Sequence, residues 1–318
     1  MTFDYDEHQI PDFEKENSSS SLKDRPQLKY DMPSLLLSYV KTVFLSGVAN
    51  TVLYVLMKPF YTFIRLWTID RFNMPKSVFY VLSTFFWHSF LYFSINGMFL
   101  SFEYFSLFES RKYPRKKHAR FPPSYLIRSA ILDGLKDQLS SLLTMFFVFP
   151  LTTACGIEYD PISFPSLSYV FVCGMLSFIW LDTTFYWSHR FLHRPWWYSR
   201  VHKKHHQFKA TIGFAAEHAH WFEQLFSNQI PYVAFTCLSS MHHCASLSWL
   251  ALRLWETYEG HSGYCLLVGS EGFHDFHHTH GQSNLGAHPL WDVVMGTCDP
   301  WLRERFDRSL LSEDNSKQ

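Results

Sequence analysis

Three short segments decide the fold: His189-Arg-Phe-Leu-His193, His202-Lys-Lys-His205-His206 and His274-Asp-Phe-His277-His278. Histidines three and four residues apart lie on one face of a helix, so each segment predicts a strip of imidazoles that points one way. The neutral imidazole offers a nitrogen lone pair near neutral pH, which makes histidine the commonest metal ligand. These eight histidines exceed what one tetrahedral or octahedral ion can use. The count therefore predicts two metal ions.

The composition is that of a protein with much lipid-facing surface. Aromatic residues make up 19% of the 318 residues and hydrophobic residues 47%. Charged residues reach only 18%, against about 25% in soluble domains. The net charge is zero, so we predict no nucleic-acid partner. The six cysteines form no C-x-x-C pair, and most lie in apolar runs, where buried free thiols are the interpretation. No metal or disulfide is assigned to Cys155, Cys173, Cys237, Cys244, Cys265 or Cys298.

Four apolar stretches are candidates for membrane spans, since a bilayer is crossed by about 20 mostly apolar residues. They are Thr42–Met57, Val78–Leu100, Leu139–Cys155 and Ser166–Trp187. The sequence predicts an all-α integral membrane protein with about four transmembrane helices and a cytosolic, helical, histidine-rich domain for two metals. Its predicted parts are a disordered polar tail at 1–31, transmembrane helices at 32–188, the catalytic domain at 189–305 with interfacial helices at 225–255, and a polar tail at 306–318.

Basic loops set the predicted orientation, because Lys and Arg accumulate on the cytosolic side. The run Arg111–Arg120 is strongly basic, whereas Gly156–Pro165 carries no Lys or Arg. The segment after Trp187 is basic again, so the last two spans form a hairpin that returns the histidines to the cytosol. The basic stretch Lys58–Lys76 disagrees with this arrangement, and we interpret the first hairpin as shallow.

Further polar residues near the strips are candidates for the same site. His261 follows an apolar helix and is predicted as a ninth ligand, and His220 as a tenth, hydrogen-bonded to Glu223. Asp182 lies on the face of the first strip and is expected to orient a ligand or to pair with Arg190. No role in the site is assigned to the histidines outside this pattern, His8, His88, His118, His242, His243, His280 and His288.

The ligand pattern favours redox chemistry over hydrolysis. A hydrolytic zinc site needs about three protein ligands, and the chain has no H-E-x-x-H motif. Imidazole suits iron, zinc, copper and nickel, so the ligand type does not select the metal. Two irons can activate dioxygen and attack a C–H bond of an apolar substrate, in a site that excludes water. The chain has no G-x-G-x-x-G fingerprint, so electrons are expected from a separate protein.

The histidine segments and the sequence around them resemble the fatty acid hydroxylase superfamily of membrane di-iron oxygenases. The likeness covers about residues 180 to 300, and within the superfamily it is closest to the sterol C4-methyl oxidases. The motifs that carry it are the three histidine segments, Ala216-Glu217-x-Ala219-His220-x-x-Glu223, His261-Ser-Gly-Tyr264 and the Trp291-Asp292…Gly296-Thr297 ending. The run from Tyr264 to His274 is shorter than in the relatives and lacks their proline.

The resemblance implies an endoplasmic reticulum enzyme that oxidises a sterol C4-methyl group stepwise. It would use O2 and electrons from NAD(P)H, delivered by cytochrome b5 and its reductase. Two irons, which zinc can replace in a purified protein, would be held by His189, His193, His202, His205, His206, His220, His261, His274, His277 and His278. The residues expected to support these ligands are Asp182, Glu217, Glu223 and Asn284.

Other functions remain open from the sequence. The same chemistry would serve a sterol side-chain hydroxylase of the cholesterol 25-hydroxylase type, or a fatty acyl or sphingolipid hydroxylase. The short run before His274 also fits an inactive relative that binds sterol. A membrane zinc-transport protein is disfavoured, because its ligands would lie within the spans and these strips follow the last one.

Overall fold

The protein is a bundle of helices in a computed structural model, which describes residues 32–112, 121–266, 272–281 and 283–298. Over these residues no strand forms, and only an isolated bridge joins Lys112 to Tyr264. The helices are α1 Met32–Arg65, α2 Lys76–Tyr104, α3 Ser124–Ala154, α4 Leu167–Leu192, α5 Pro195–Arg200, α6 Trp221–Glu223, α7 Ile230–Leu238, α8 His243–Ser262, α9 Phe273–His280 and α10 Pro289–Met295. The all-α class is confirmed. The predicted polar tails, 1–31 and 306–318, lie outside the described residues.

Three segments of the described chain are long and apolar enough to cross a membrane: Met32–Arg71, Lys76–Tyr104 and Leu167–Leu192. Their outer faces expose large apolar side chains, such as Leu56 and Phe86, which suits a lipid environment. The fourth predicted span, Leu139–Cys155, instead forms the second half of α3. The first half of α3 carries several charged and polar residues, so the 31-residue helix is not apolar enough to count as a span.

The first span is longer than the sequence suggested. A π-helical turn, Leu66–Arg71, continues α1, so the segment has 40 residues. The basic residue Arg65 is buried, and its guanidinium binds the carboxylates of Asp70 at 2.7 Å and Asp160 at 3.0 Å. Part of the positive charge that conflicted with the predicted orientation is therefore neutralised within the protein.

Close contact between α1 and α4 depends on small residues. A Cβ added to Gly174 would lie 3.0 Å from the Cα of Gly47 and 2.9 Å from the Cβ of Asn50. Small residues let transmembrane helices approach closely and gain van der Waals contact. The Asn50 side chain also donates to the Val170 carbonyl at 3.3 Å and accepts from the Ser248 hydroxyl at 2.9 Å. These contacts bring α8 against the pair.

Two helices form in the region predicted to be interfacial, 225–255. The first half of α8 is buried, with Trp249 fully enclosed, and the Trp87 indole of α2 donates to the Leu247 carbonyl at 2.9 Å. This half of α8 is thus enclosed by α1 and α2. The helix then runs toward its other end, where His261 lies.

We expect Gly174→Ala to destabilise the bundle by about 1–3 kcal/mol, because the added methyl overpacks the contact between α1 and α4. Gly97→Ala is the matched control, since a Cβ at Gly97 meets nothing within 4 Å. This variant should keep or slightly raise stability, because glycine inside a helix costs about 1 kcal/mol relative to alanine. Thermal unfolding of the purified variants in detergent measures both. Equal melting temperatures for the two variants would contradict this packing.

Candidate metal centre

Nine of the predicted ligand histidines converge in two adjacent groups. The ligand atoms within each group lie within 4.8 Å of one another. The first group is His189, His193, His202, His206 and His277, and the second is His205, His261, His274 and His278. Together they contain all eight strip histidines and the ninth, His261, which reaches the second group despite the short run that follows it.

The two H-x-x-H-H segments each divide between the groups, so the prediction that a strip points one way is wrong for them. His202 and His206 enter the first group, while His205 enters the second; His277 enters the first group, while His274 and His278 enter the second. His274–His278 lie on α9, where successive residues point about 100° apart, and His202–Gln207 form a 3-10 helix, where they point about 120° apart. A strip with adjacent histidines is therefore wide enough for its two edges to face two different sites.

The nitrogen contacts of the first group cannot be ordinary hydrogen bonds. His202 Nε2 lies 3.0 Å from the Nε2 atoms of His189, His193 and His206 alike. His277 Nε2 lies 3.2 Å from that of His193 and 3.1 Å from that of His206. A neutral imidazole nitrogen carries one proton or one lone pair, so it can make only one such bond. Convergence of several lone pairs on one point requires a cation.

The spacings match a coordination sphere. Two nitrogens at right angles around one ion, each about 2.1 Å from it, are about 3.0 Å apart. The second group shows similar distances, 3.3 Å between Nε2 of His205 and of His261 and 3.1 Å between Nε2 of His261 and of His274. Both ring nitrogens of the buried His278 lack a hydrogen-bond partner among the described residues. The donor set of each group therefore fits one first-row metal ion.

Backbone carbonyls fix the orientation of three of these rings. Nδ1 of His189 donates to the Leu285 carbonyl at 2.6 Å, and Nδ1 of His277 donates to the Ser283 carbonyl at 2.7 Å. Nδ1 of His261 donates to the Thr257 carbonyl at 2.8 Å. A proton held on Nδ1 leaves the Nε2 lone pair free, which is the usual arrangement around metal-binding histidines.

The loop that presents two of these carbonyls is held by Asn284 and Asp292. Asn284 has a positive φ of 60°, which asparagine tolerates better than most residues, and its side-chain amide donates to the Phe273 carbonyl at 3.0 Å. The Asp292 carboxylate accepts from the backbone N–H groups of Leu285 at 2.8 Å and Gly286 at 2.7 Å. Asn284 thus ties this loop to the start of α9. The role of Asp292 was not predicted from the sequence.

Glu223 supports a different histidine from the one predicted. Its Oε1 lies 2.8 Å from Nδ1 of His202, so the carboxylate orients a member of the first group. The predicted pair of Glu223 with His220 is not formed. His220 lies outside both groups, because its Nδ1 accepts from the Phe222 N–H at 3.2 Å and caps α6.

Asp182 does not pair with Arg190. Its carboxylate accepts from the Tyr39 hydroxyl at 3.0 Å and from the His288 N–H at 3.2 Å. Arg190 instead donates to the Tyr186 hydroxyl at 2.9 Å. Asp182 therefore joins α1 and α4 to the chain just before α10, and it touches no ligand ring directly.

Glu217 and His88 belong to one polar cluster, although His88 was assigned no role from the sequence. The Tyr258 hydroxyl donates to Glu217 Oε1, and His88 Nε2 lies 3.3 Å from the same oxygen. Because His88 comes from α2, more than 100 residues away along the chain, no local spacing could reveal this contact. His242 and His243 lie outside both groups, as predicted: His242 Nε2 lies 3.0 Å from the Asp160 carbonyl oxygen, and His243 Nε2 lies 2.9 Å from the Ser83 hydroxyl.

Burial keeps these imidazoles neutral. Desolvation, followed by the charges of neighbouring imidazoles, lowers the pKa of the buried strip histidines well below the ordinary 6.5, for His202, His205, His206, His274, His277 and His278. A neutral ring is the form that binds a metal. The centre is thus in its metal-binding state at neutral pH without further deprotonation.

A cavity of about 250 Å³ opens beside both groups. Histidines of each group form part of its wall, among them His202 and His261. Apolar side chains of the helix bundle form another part, including Phe85 of α2, Leu142 of α3 and Phe185 of α4. The metal centre therefore faces a space that is lined in part by apolar side chains of helices long enough to cross a membrane.

Comparison with known proteins agrees with this architecture. A family model, fatty acid hydroxylase, matches residues 174–297. A very-long-chain aldehyde decarbonylase of Oryza sativa subsp. indica is 31% identical over 204 residues, 61% of this chain and 75% of that protein. A Dictyostelium discoideum protein that carries the name methylsterol monooxygenase is 32% identical over 242 residues, 72% of this chain and 88% of that protein. Methylsterol monooxygenase 1-1 of Arabidopsis thaliana is 36% identical over 145 residues, 42% and 47% of the two chains.

The fold and the site define a membrane oxidoreductase whose centre is built from histidines. The chain belongs to the fatty acid hydroxylase family, a family of metal-dependent oxygenases. The resemblance predicted from the histidine segments is therefore confirmed. No solved structure matches the chain.

We expect His205→Ala to lower the bound metal, because it removes one of the four nitrogens of the second group. His242→Ala is the control, since His242 contacts the Asp160 backbone away from both groups. Elemental analysis of the purified variants measures metal per chain. Equal metal content in the two variants would contradict the assignment of His205.

Glu223→Ala should weaken metal binding by about 10- to 100-fold, the usual cost of removing a group that orients a ligand histidine. Gln224→Ala is a matched control, because the neighbouring Gln224 is also buried but accepts from Asn228 and contacts no ligand ring. Competition with a chelator gives the affinities. A loss of the same size in both variants would show that Glu223 has no specific role at His202.

Proposed function

We propose that this protein is a membrane di-iron monooxygenase that oxidises a C4-methyl group of a sterol. The observation that carries the proposal is the placement of the two histidine groups on the wall of a cavity that membrane helices also line. The relatives named methylsterol monooxygenase support the choice of substrate, one of them aligned over 88% of its length.

The proposed ligands are the nine histidines of the two groups, five for one iron and four for the other. Neutral nitrogen donors suit iron, and zinc accepts the same donors, so zinc can replace iron during purification. When bound, the two irons supply the redox chemistry that activates dioxygen. The chain itself holds the ligand rings in place through carbonyls of the 283–286 loop and through Glu223.

The apolar wall and the histidine wall of the cavity would contact different parts of the substrate. Apolar side chains, including Leu142, Leu181 and Phe185, would hold the ring system of the substrate away from water. The histidine wall would face the methyl group. Exclusion of bulk water protects reactive oxygen species from side reactions, and the buried state of the ligand rings serves the same purpose.

Electrons would come from NAD(P)H through cytochrome b5 and its reductase. The chain has no dinucleotide fingerprint, so an external donor is required. Basic residues near the first group are exposed, namely Arg194, Arg200, Lys203 and Lys209, and they suit an acidic electron-transfer protein. This placement goes with an endoplasmic reticulum membrane protein whose histidine region faces the cytosol.

A second candidate function is conversion of very-long-chain aldehydes. The rice relative with that name is 31% identical over 75% of its length. Its sequence identity to this chain is thus about the same as that of the Dictyostelium methylsterol monooxygenase, 32%. The apolar cavity wall would accept a long alkyl chain as well as a sterol ring system, so the two candidates differ in substrate and share one metal centre.

Expression in microsomes that lack sterol C4-methyl oxidase tests the proposal. We expect 4,4-dimethylsterols to decrease when NADH and O2 are supplied, because the methyl group is oxidised. His205→Ala should leave them unchanged, since it removes a proposed iron ligand. Sterol analysis by gas chromatography and mass spectrometry provides the measurement.

Unchanged 4,4-dimethylsterols with stable, iron-loaded protein would contradict the sterol assignment. The same microsomes should then be supplied with a very-long-chain aldehyde. Its disappearance would assign the second candidate function. A lack of turnover with both substrates would favour the inactive, sterol-binding relative.

A further inference from the structure

One wall of the cavity is lined by buried polar atoms that have no hydrogen-bond partner. Within the described part of the chain they include Asp137 Oδ2, Gln138 Nε2, Glu217 Oε2, Gln224 Nε2 and Ser227 Oγ. Buried polar groups are nearly always satisfied by protein or by ordered water. A wall of this kind favours hydration, in contrast to the apolar wall that suits the substrate.

Two carboxylates, Asp137 and Glu217, line this wall, and the charge of Glu217 acts on Asp137. Asp137 lies on α3 and is half-buried, whereas Glu217 is 8% exposed. One oxygen of Glu217 is engaged by Tyr258 and His88, and the other is buried without a partner among the described residues. Neighbouring carboxylates in a site of low polarity readily share a proton.

The outer end of this wall reaches the protein surface. Asp133 precedes Asp137 by one helical turn on α3, and its carboxylate binds Lys136 at 3.1 Å and Lys204 at 2.9 Å. The Lys136 side chain is 73% exposed. His218 Nδ1 also lies 2.9 Å from Asp133. Titratable groups one helical turn from Asp137 on α3 therefore reach solvent.

This wall shares its cavity with the metal centre, since Asp137 and Glu217 line the same cavity as His205 and His261. Burial, and then the charge of Glu217, raise the pKa of Asp137 to about 7. A carboxyl group with this pKa can both accept and give a proton near neutral pH. Several charged or titratable groups surround the pair. They are Asp133 and Lys136 of α3, Lys204, Glu223, Tyr92 of α2, and His88 and Tyr258, which contact Glu217.

We propose that Asp137 and Glu217 form a proton relay that carries solvent protons along α3 and through the hydrated wall to the metal centre. The relay rests on the proposed monooxygenase function. In the balance R–H + O2 + 2 e⁻ + 2 H⁺ → R–OH + H2O, the C–H and O–O bonds break and one oxygen atom forms the new C–O bond. The other oxygen leaves as water; the external donor protein supplies both electrons, and the relay supplies both protons.

Asp137→Asn in the full-length, iron-loaded protein tests the relay. We expect turnover to fall about 100-fold, with the KM for the sterol, the iron content and the melting temperature unchanged. The protonated form of Asp137 is present below pH 7 and is lost above it. Turnover of the wild-type protein should therefore fall as the pH rises through about 7, and turnover of Asp137→Asn should not show this fall. Asp137→Glu should restore both the rate and its pH dependence. Glu109→Gln is a control, because it neutralises an exposed carboxylate outside the cavity.

A measurement without turnover provides a second readout. Infrared spectra of the zinc-loaded protein should show a carboxylic-acid carbonyl band that disappears as the pH rises through about 7 and is absent from zinc-loaded Asp137→Asn. Glu217→Gln should also lower turnover, and the double variant should lose little more than the weaker single variant, since both residues act on one path.

Normal turnover and an unchanged pH profile in Asp137→Asn would overturn the relay. Loss of iron or of thermal stability in that variant would assign Asp137 a structural role and would also overturn it, as would a missing infrared band. Failure of the wild-type protein to convert sterol contradicts only the proposed function, because the infrared measurement tests the protonation of Asp137 without turnover.

Discussion

The structure depends on the convergence of nine imidazole lone pairs in two small volumes. Nitrogens about 3 Å apart repel one another unless a cation lies between them, and burial prevents the rings from escaping this by protonation. The fold fixes four of the rings through hydrogen bonds at Nδ1, three to backbone carbonyls and one to a carboxylate. Metal binding and folding of this region are therefore coupled.

The membrane helices set where this centre can form. The first histidine pair continues from α4, and His261 lies near the end of α8, which α1 and α2 enclose. The groups thus lie where the apolar bundle ends. The same helices line the cavity with both apolar and polar side chains. The apolar wall suits a lipid substrate, and the polar wall suits proton transfer. Substrate binding and proton delivery therefore use different surfaces of the cavity.

Spacing in the sequence was enough to predict the ligands, because three- and four-residue intervals have a fixed meaning on a helix. It could not predict their division between two groups, since adjacent histidines such as His205 and His206 diverge toward different sites only in the folded chain. Contacts over long separations, such as His88 with Glu217, were equally hidden. The helical class was predictable from the sequence, whereas the polar first half of α3, which precedes the predicted span Leu139–Cys155, was not.

The central claim is that each histidine group holds one metal ion. Crystals of the iron-loaded protein, measured for anomalous scattering at the iron absorption edge, test this most directly. We predict two peaks per chain, one surrounded by His189, His193, His202, His206 and His277 and the other by His205, His261, His274 and His278. A single peak, or peaks outside these rings, would contradict the account.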